Sequence, residues 1–202
     1  MTLIHHAKAN LPTKYGNFVL HTFKADGKEH AALVKGNPRG RVLVRIHSEC
    51  LTGDVFHSLR CDCRAQLEKS LEMISERKEG IVVYLRQEGR DIGLLNKTKA
   101  YDLQDKGLDT VEANIQLGFQ EDERDYSIAA DILKDLGITS ICLLTNNPEK
   151  VKELSSLGLS VERIPIITPI TEHNSKYLET KKRRMGHLFQ EVTEDKKPSV
   201  FF

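Results

Sequence analysis

Ile141-Cys142-Leu143-Leu144-Thr145-Asn146-Asn147-Pro148-Glu149-Lys150-Val151, running on to Ile166, is the stretch whose reading decides the fold. Ile141 to Leu144 is a short apolar run of strand composition. Asn147 and Pro148 then supply a helix N-cap and a proline at the first helical position. Val151, Leu154 and Leu157 recur at helical spacing, and Gly158 closes the helix. Val161 to Ile166 reads as a further strand. Working outward, residues 126–136 read as a helix with Ile128, Ile132 and Leu136 on one face, ended by Gly137. Residues 64–77 read as another, with Leu67, Leu71 and Ile74 at helical spacing and Gly80 just past its end. Ile81 to Leu85 is again a strand.

Nearer the start, residues 17–22 and 31–35 read as strands around the turn signal Asp26-Gly27. Asn37-Pro38-Arg39-Gly40 is a second turn, leading into the β-branched strand Arg41 to Ile46. The expected fold class is therefore α/β, a mixed sheet flanked by helices with an antiparallel N-terminal portion. Residues 86–124 are mostly polar and too long for an ordinary connection, with a helix expected near 93–106. A single catalytic domain over 1–190 is expected. The pattern fades after Gly186, and 191–202 is expected to be a mobile tail.

The 202 residues carry 30 Lys plus Arg against 29 Asp plus Glu, a net charge of +1. That balance argues against a general nucleic-acid binder, though not against a local basic pocket. Nothing approaches the ~20 apolar residues of a membrane span. Met1 to His6 lacks the apolar region of a signal peptide. Clustered cysteines without a secretion signal fit a reducing, cytoplasmic setting.

Three of the four cysteines crowd into one stretch: His47-Ser48-Glu49-Cys50, then Cys61-Asp62-Cys63. This is the composition of a metal site. Three thiolates leave a tetrahedral zinc one ligand short, and an open position is the mark of a catalytic zinc that activates water. His47 or His57 as a fourth ligand would instead close the site and make it structural. Unligated loop thiols are the plainest alternative. Glu49, beside a ligand, is placed to serve as acid or base for activated water, or else is a solvated loop carboxylate. The His-x-Glu of the nucleobase zinc deaminases is present here, but their Pro-Cys-x-x-Cys is not. The fourth cysteine, Cys142, reads as a small buried hydrophobe.

Gln87-Glu88-Gly89-Arg90-Asp91-Ile92-Gly93 follows a strand, so backbone and Arg90 can approach a phosphate. Gly-rich polar turns are also common without that role. Thr145 to Lys150 opens a helix, where free N–H groups and the dipole favour an anion, but where ordinary capping is the plainer reading. Asp122-Glu123-Arg124-Asp125 and Lys181-Lys182-Arg183-Arg184 each read, taken alone, as solvated charge runs.

Together the segments resemble the GTP cyclohydrolase II family. The matching stretches are Arg45 to Asp54, Leu59 to Cys63, Arg86 to Arg90, Gly93 to Lys97, Ala113-Asn114, Asp122 to Arg124, Thr145 to Pro148, Thr180-Lys181 and Met185-Gly186-His187. They occur in the family's order over nearly the whole chain. The resemblance implies hydrolysis of GTP at imidazole C8, with release of formate and pyrophosphate to give a diaminopyrimidine ribosylamine phosphate for riboflavin biosynthesis. It implies Cys50, Cys61 and Cys63 as zinc ligands with water in the open position, magnesium on the triphosphate, and a homodimer. It implies Tyr101, Asp122 (as proton acceptor) and Arg124 (as a nucleophile toward the α-phosphate) as catalytic residues. Arg124 is chemically easier to read as a phosphate clamp, because a guanidinium has no ready lone pair.

For substrate binding the resemblance points to Arg45, Ile46, His47, Ser48, Glu49, Gln66, Glu88, Gly89, Arg90, Thr110, Thr145 and Lys150. Glu88 or Glu112 is a candidate for reading the guanine edge. Two positions depart from the family: Arg64 where Gly commonly follows Cys-Asp-Cys, and Lys99 where Arg is usual. The chain is too short for the butanone-phosphate synthase fusion of many relatives, so a single activity is expected. Two other readings stand beside it: a zinc-stabilised binding module, and a diverged enzyme that stops at a formamido product. The presence of Tyr101 favours full hydrolysis.

Overall fold

A computed structural model describes residues 3–184 and 186–188; the tail expected over 191–202 lies outside them, as does Met185. The described strands are β1 (Ile4–Thr13), β2 (Gly16–Ala25), β3 (Lys28–Lys35), β4 (Arg41–Ser48), β5 (Gly80–Leu85), β6 (Ser140–Leu144) and β7 (Ser160–Ile164). They form one sheet in the order β1-β2-β3-β5-β4-β6-β7. Pairing is antiparallel from β1 through β3 to β5, and parallel across β5, β4, β6 and β7. The mixed α/β sheet is as expected.

The helices are α1 (Leu51–Asp54), α2 (Cys63–Arg77), α3 (Gly93–Asp105), α4 (Thr110–Gln116), α5 (Ser127–Asp135), α6 (Pro148–Ser156) and α7 (Ser175–Arg184). Asn147 caps α6, accepting from Glu149 N at 3.0 Å, with Pro148 behind it. β1, α1 and α4 are not among the elements expected from the pattern. β1 is a polar strand at the sheet edge, paired in register with β2 from Lys8 opposite His21 to Thr13 opposite Gly16. α4 lies in the polar 86–124 segment and opens on a capping box, Asp109 with Glu112.

Strand alternation sorts the core. Val42, Val44 and Ile46 of β4 join Ile81, Val83 and Leu85 of β5 and the apolar faces of α5 and α6 in one cluster. Leu43, Val82, Cys142 and Leu144 point the other way, toward Ile74 of α2. Cys142 is buried there, as expected. Gly80 opens β5 at φ 148, where an added Cβ would lie 2.8 Å from Leu43 O. From β4 the chain crosses to β5 on one side, then passes back to β6 on the other. Such a reversal leaves a crevice beyond the carboxyl ends of the parallel strands, where open α/β sheets bind ligands.

Candidate active site

The loops after β4, β5 and β6 meet at that crevice. After β4 the chain bends at Glu49, whose N–H donates to Leu85 O at 2.8 Å. Cys50 then caps α1, and Cys63 opens α2. The Cys50, Cys61 and Cys63 sulfurs lie within 4.8 Å of one another, Cys50 and Cys61 at 3.7 Å. Gly53 makes room for them: a Cβ there would sit 2.9 Å from Cys61 Sγ and 3.1 Å from Cys50 Sγ. The trio behaves as one unit. Hydrogen bonds from Cys61 and Cys63 pull the Cys50 thiol far down, while Cys61 is pushed up to about 11 by Cys50 and Cys63 is pushed well up. Three reduced sulfurs converging on one point form a soft donor set suited to zinc.

Neither histidine completes the set. His57 is exposed at φ 58. His47 Nε2 lies 3.1 Å from both Asp54 carboxylate oxygens, and its Nδ1 lies 3.5 Å from Arg45 Nη2. Burial, offset only in part by Asp54, lowers its pKa and keeps it neutral. Asp54 also accepts from Cys50 N at 3.0 Å and from Tyr84 OH at 2.8 Å, so it anchors the ligand loop to the sheet.

Against the sulfurs lies α3. Lys97 Nζ is 3.2 Å from Cys50 Sγ and 2.7 Å from Glu88 Oε1. The Tyr101 hydroxyl is 3.4 Å from Thr52 Oγ1, and burial raises its pKa. Neither carboxylate expected to read a guanine edge is idle. Glu88 accepts from Leu51 N, Gly89 N and Lys97, and Glu112 is taken up by its own cap and by Arg184. The Glu49 carboxylate pairs with Arg86 at 2.8 Å.

The opposite wall is cationic. Arg45 donates to Leu144 O at 3.0 Å and to Gln66 Oε1 at 2.5 Å. Lys150, from the first turn of α6, donates to Ile46 O at 3.1 Å and lies over the Tyr126 ring. Arg124 is gripped by both oxygens of Asp122. Burial opposes its charge, but Tyr126 and Asp122 more than offset that and hold the guanidinium protonated. Arg90 donates to Glu121 O at 3.0 Å from a loop in which Gly89, Arg90 and Asp91 all have φ between 62 and 72. Consecutive left-handed residues are rare for side chains other than Gly and concentrate at ligand-gripping loops. Lys181 pairs with Asp62 at 2.9 Å. Of the five cations on this wall, Arg124 and Lys181 are paired with Asp122 and Asp62, and the surplus of positive charge is the electrostatics of an anion site.

The expected residues thus gather around one pocket, with two exceptions. The Ile46 side chain is core, and only its carbonyl reaches Lys150; Asp122 stands behind Arg124 rather than on the wall. Lys97, Asn146, Tyr177, Lys181 and His187 also line the pocket and were not singled out as site residues. The sequence signal for Lys97 and Lys181 was their place within matching stretches. The charge runs around 122 and 181 are solvated at Glu123, Asp125, Lys182, Arg183 and Arg184, as expected, while Arg124 and Lys181 turn inward.

The sequence model of the family described as GTP cyclohydrolase II matches residues 5–165. The chain belongs to the GTP cyclohydrolase II family. It is 56% identical to a GTP cyclohydrolase-2 of Picrophilus torridus over 91% of this chain and 98% of that one. It is 54% identical to that of Escherichia coli O9:H4 over 93% and 98%, and to that of Azotobacter vinelandii over 93% and 93%. A solved two-domain 3,4-dihydroxy-2-butanone 4-phosphate synthase from A. baumannii is similar at 24% identity and TM-score 0.45, over 82% of this chain and 40% of that one. In this chain Arg64 is half-buried and turns away from the pocket. It donates to Asp54 O and pairs with Glu68, both at 2.9 Å, and it is absent from the pocket wall. Lys99 is exposed. Among the described residues no helix is long and apolar enough to cross a membrane.

Proposed function

We propose that this protein opens the imidazole ring of GTP by zinc-dependent hydrolysis. It would release formate and pyrophosphate and leave 2,5-diamino-6-ribosylamino-pyrimidinone 5'-phosphate, the first step of riboflavin biosynthesis. The observation that carries the reading is a three-thiol cluster and a wall of surplus positive charge in one pocket. Cys50, Cys61 and Cys63 would hold the zinc, which when bound supplies Lewis acidity and acidifies water toward neutral pH.

The chain's own groups divide between the two ends. Tyr101, kept protonated by burial, is suited to donate to or orient the ring nitrogen near C8. Arg45, Arg90 and Lys150 are suited to the triphosphate, with Thr145 and the α6 N-terminus beside them and magnesium arriving with the substrate. Gln66 fixes Arg45, and Thr110 closes the pocket from α4. Arg124 acts as a clamp on charge developing at the α-phosphate. A guanidinium held by a carboxylate at two nitrogens has no free lone pair for attack; trapping a phosphorylated Arg124 would contradict this role. Burial raises the Asp122 pKa but Arg124 lowers it further, so Asp122 is an ionised acceptor whose main work is to aim Arg124. A homodimer in the cytoplasm is part of the proposal.

Incubating zinc-loaded protein with GTP and magnesium tests it, with formate, pyrophosphate and pyrimidine quantified together. Equal yields of all three support the reading. No GTP consumption would favour a binding module, and pyrophosphate without formate would favour a formamido product.

A further inference from the structure

Lys97 is 8% exposed and lies just inside α3, against the thiol cluster. Burying an ammonium is costly unless it is paired. Here Glu88 supplies the pair at 2.7 Å, and Cys50 Sγ takes a second ammonium hydrogen at 3.2 Å. Glu88 is itself fixed, by Leu51 N at 2.6 Å and Gly89 N at 2.9 Å. The ammonium is therefore clamped between a carboxylate and a sulfur, and is not poised to follow a phosphate. Leu51 directly follows Cys50. The Glu88–Lys97 pair thus grips both the sulfur and the next peptide N–H of one cluster residue.

Three thiolates outweigh a divalent ion, so a centre built on them carries surplus negative charge. We infer that Lys97 is a positioning residue for the metal centre. Its N–H···S bond fixes the Cys50 sulfur, withdraws electron density from it and keeps the bound metal more electrophilic than unassisted thiolates would. This rests on the zinc reading above. A hydrogen bond to a thiolate lowers the energy of the sulfur lone pairs, and so raises the energy of sulfur-to-metal charge transfer.

Cobalt(II) in place of zinc makes that transfer visible. Lys97→Met should shift the sulfur-to-cobalt band of the substrate-free protein to longer wavelength, and Lys97→Arg should restore part of the shift. With zinc, kcat for formate in Lys97→Met should fall by about 10- to 100-fold, as for supporting groups of other metal sites, with KM for GTP within about twofold. If Lys97→Met does not fold, the double variant Lys97→Met/Glu88→Gln removes both buried charges and should show the same shift. A band at the wild-type position in the folded variants overturns the inference alone. So does a rise in KM with kcat unchanged, which would place Lys97 on the substrate. A wild-type protein that gives no thiolate–cobalt band at all overturns the zinc reading together with this one.

Discussion

Lys150 carries an ammonium where its surroundings oppose it. Burial first, then Arg45 and Arg124, push its pKa well below the usual lysine value of 10.5. The unfolded chain therefore holds a proton that the folded chain tends to shed. By linkage this lowers stability as pH falls from 10.5 toward the folded value. An anion seated against Lys150 opposes the shift, so at a pH between the folded value and 10.5 binding should draw a proton from solution. Titrating pyrophosphate into the protein in two buffers of different ionisation enthalpy should show proton uptake in the wild type, and less in Lys150→Met. Equal heats in both buffers across that pH range would contradict the depressed pKa of Lys150, and no heat of binding at all would contradict the assignment of this wall to phosphate. The sequence displayed Lys150 at a helix start, but its depressed pKa comes from burial and then from Arg45 and Arg124, all supplied by the fold.

Short elements carry the geometry of the thiol end. α1 spans only Leu51–Asp54, yet it sets Gly53 against all three cysteines and Asp54 against His47, Tyr84 and Cys50 N. Gly53 is needed for space, not for backbone freedom, since its φ is not positive. Gly53→Ala should leave the far-ultraviolet circular dichroism unchanged while weakening zinc retention by about 10- to 100-fold in competition with a chelator. Wild-type retention would show that the sulfurs have slack. Helices and strands with apolar periodicity, such as α2, α6 and β6, were readable because a core-facing stripe repeats in sequence. β1 offered little of that signal, because it is a polar edge strand facing one neighbour. α4 did carry a readable mark, the Asp109–Glu112 capping box, inside a stretch otherwise too polar to interpret.

Over the whole molecule, the last described helix is tied to the thiol loop across 119 residues by the Lys181–Asp62 pair. Asp62 sits between two of the cysteines, its side chain 0% exposed, and also accepts from Gln66 at 2.6 Å and Thr168 at 3.2 Å. Burial alone would raise the Asp62 pKa, but Lys181 leads the groups that hold it below 3.8. The pair's contribution is thus full at neutral pH and fades only as pH falls through the depressed value. Lys181→Ala leaves a buried carboxylate without its cation and should cost about 3–5 kcal/mol in urea unfolding at neutral pH. A loss below about 1 kcal/mol would mean the pair behaves like an exposed one. The parallel half of the sheet and the cysteines were legible in sequence because each is a local pattern. The pocket's second wall is no local pattern: Arg45, Arg124 and Lys150 were named only through the family resemblance, and Lys181 was not named as a site residue, because distant segments assemble them.

In the proposed function the pocket divides its labour, with ring opening at the sulfurs and phosphate chemistry at the cationic wall. Cys61→Ser separates them: formate and pyrophosphate would be measured from the same GTP reaction, with zinc content determined alongside. Cys61→Ser should lose zinc and formate production while pyrophosphate release from GTP persists. Formate produced at the wild-type rate by the zinc-depleted variant would contradict it.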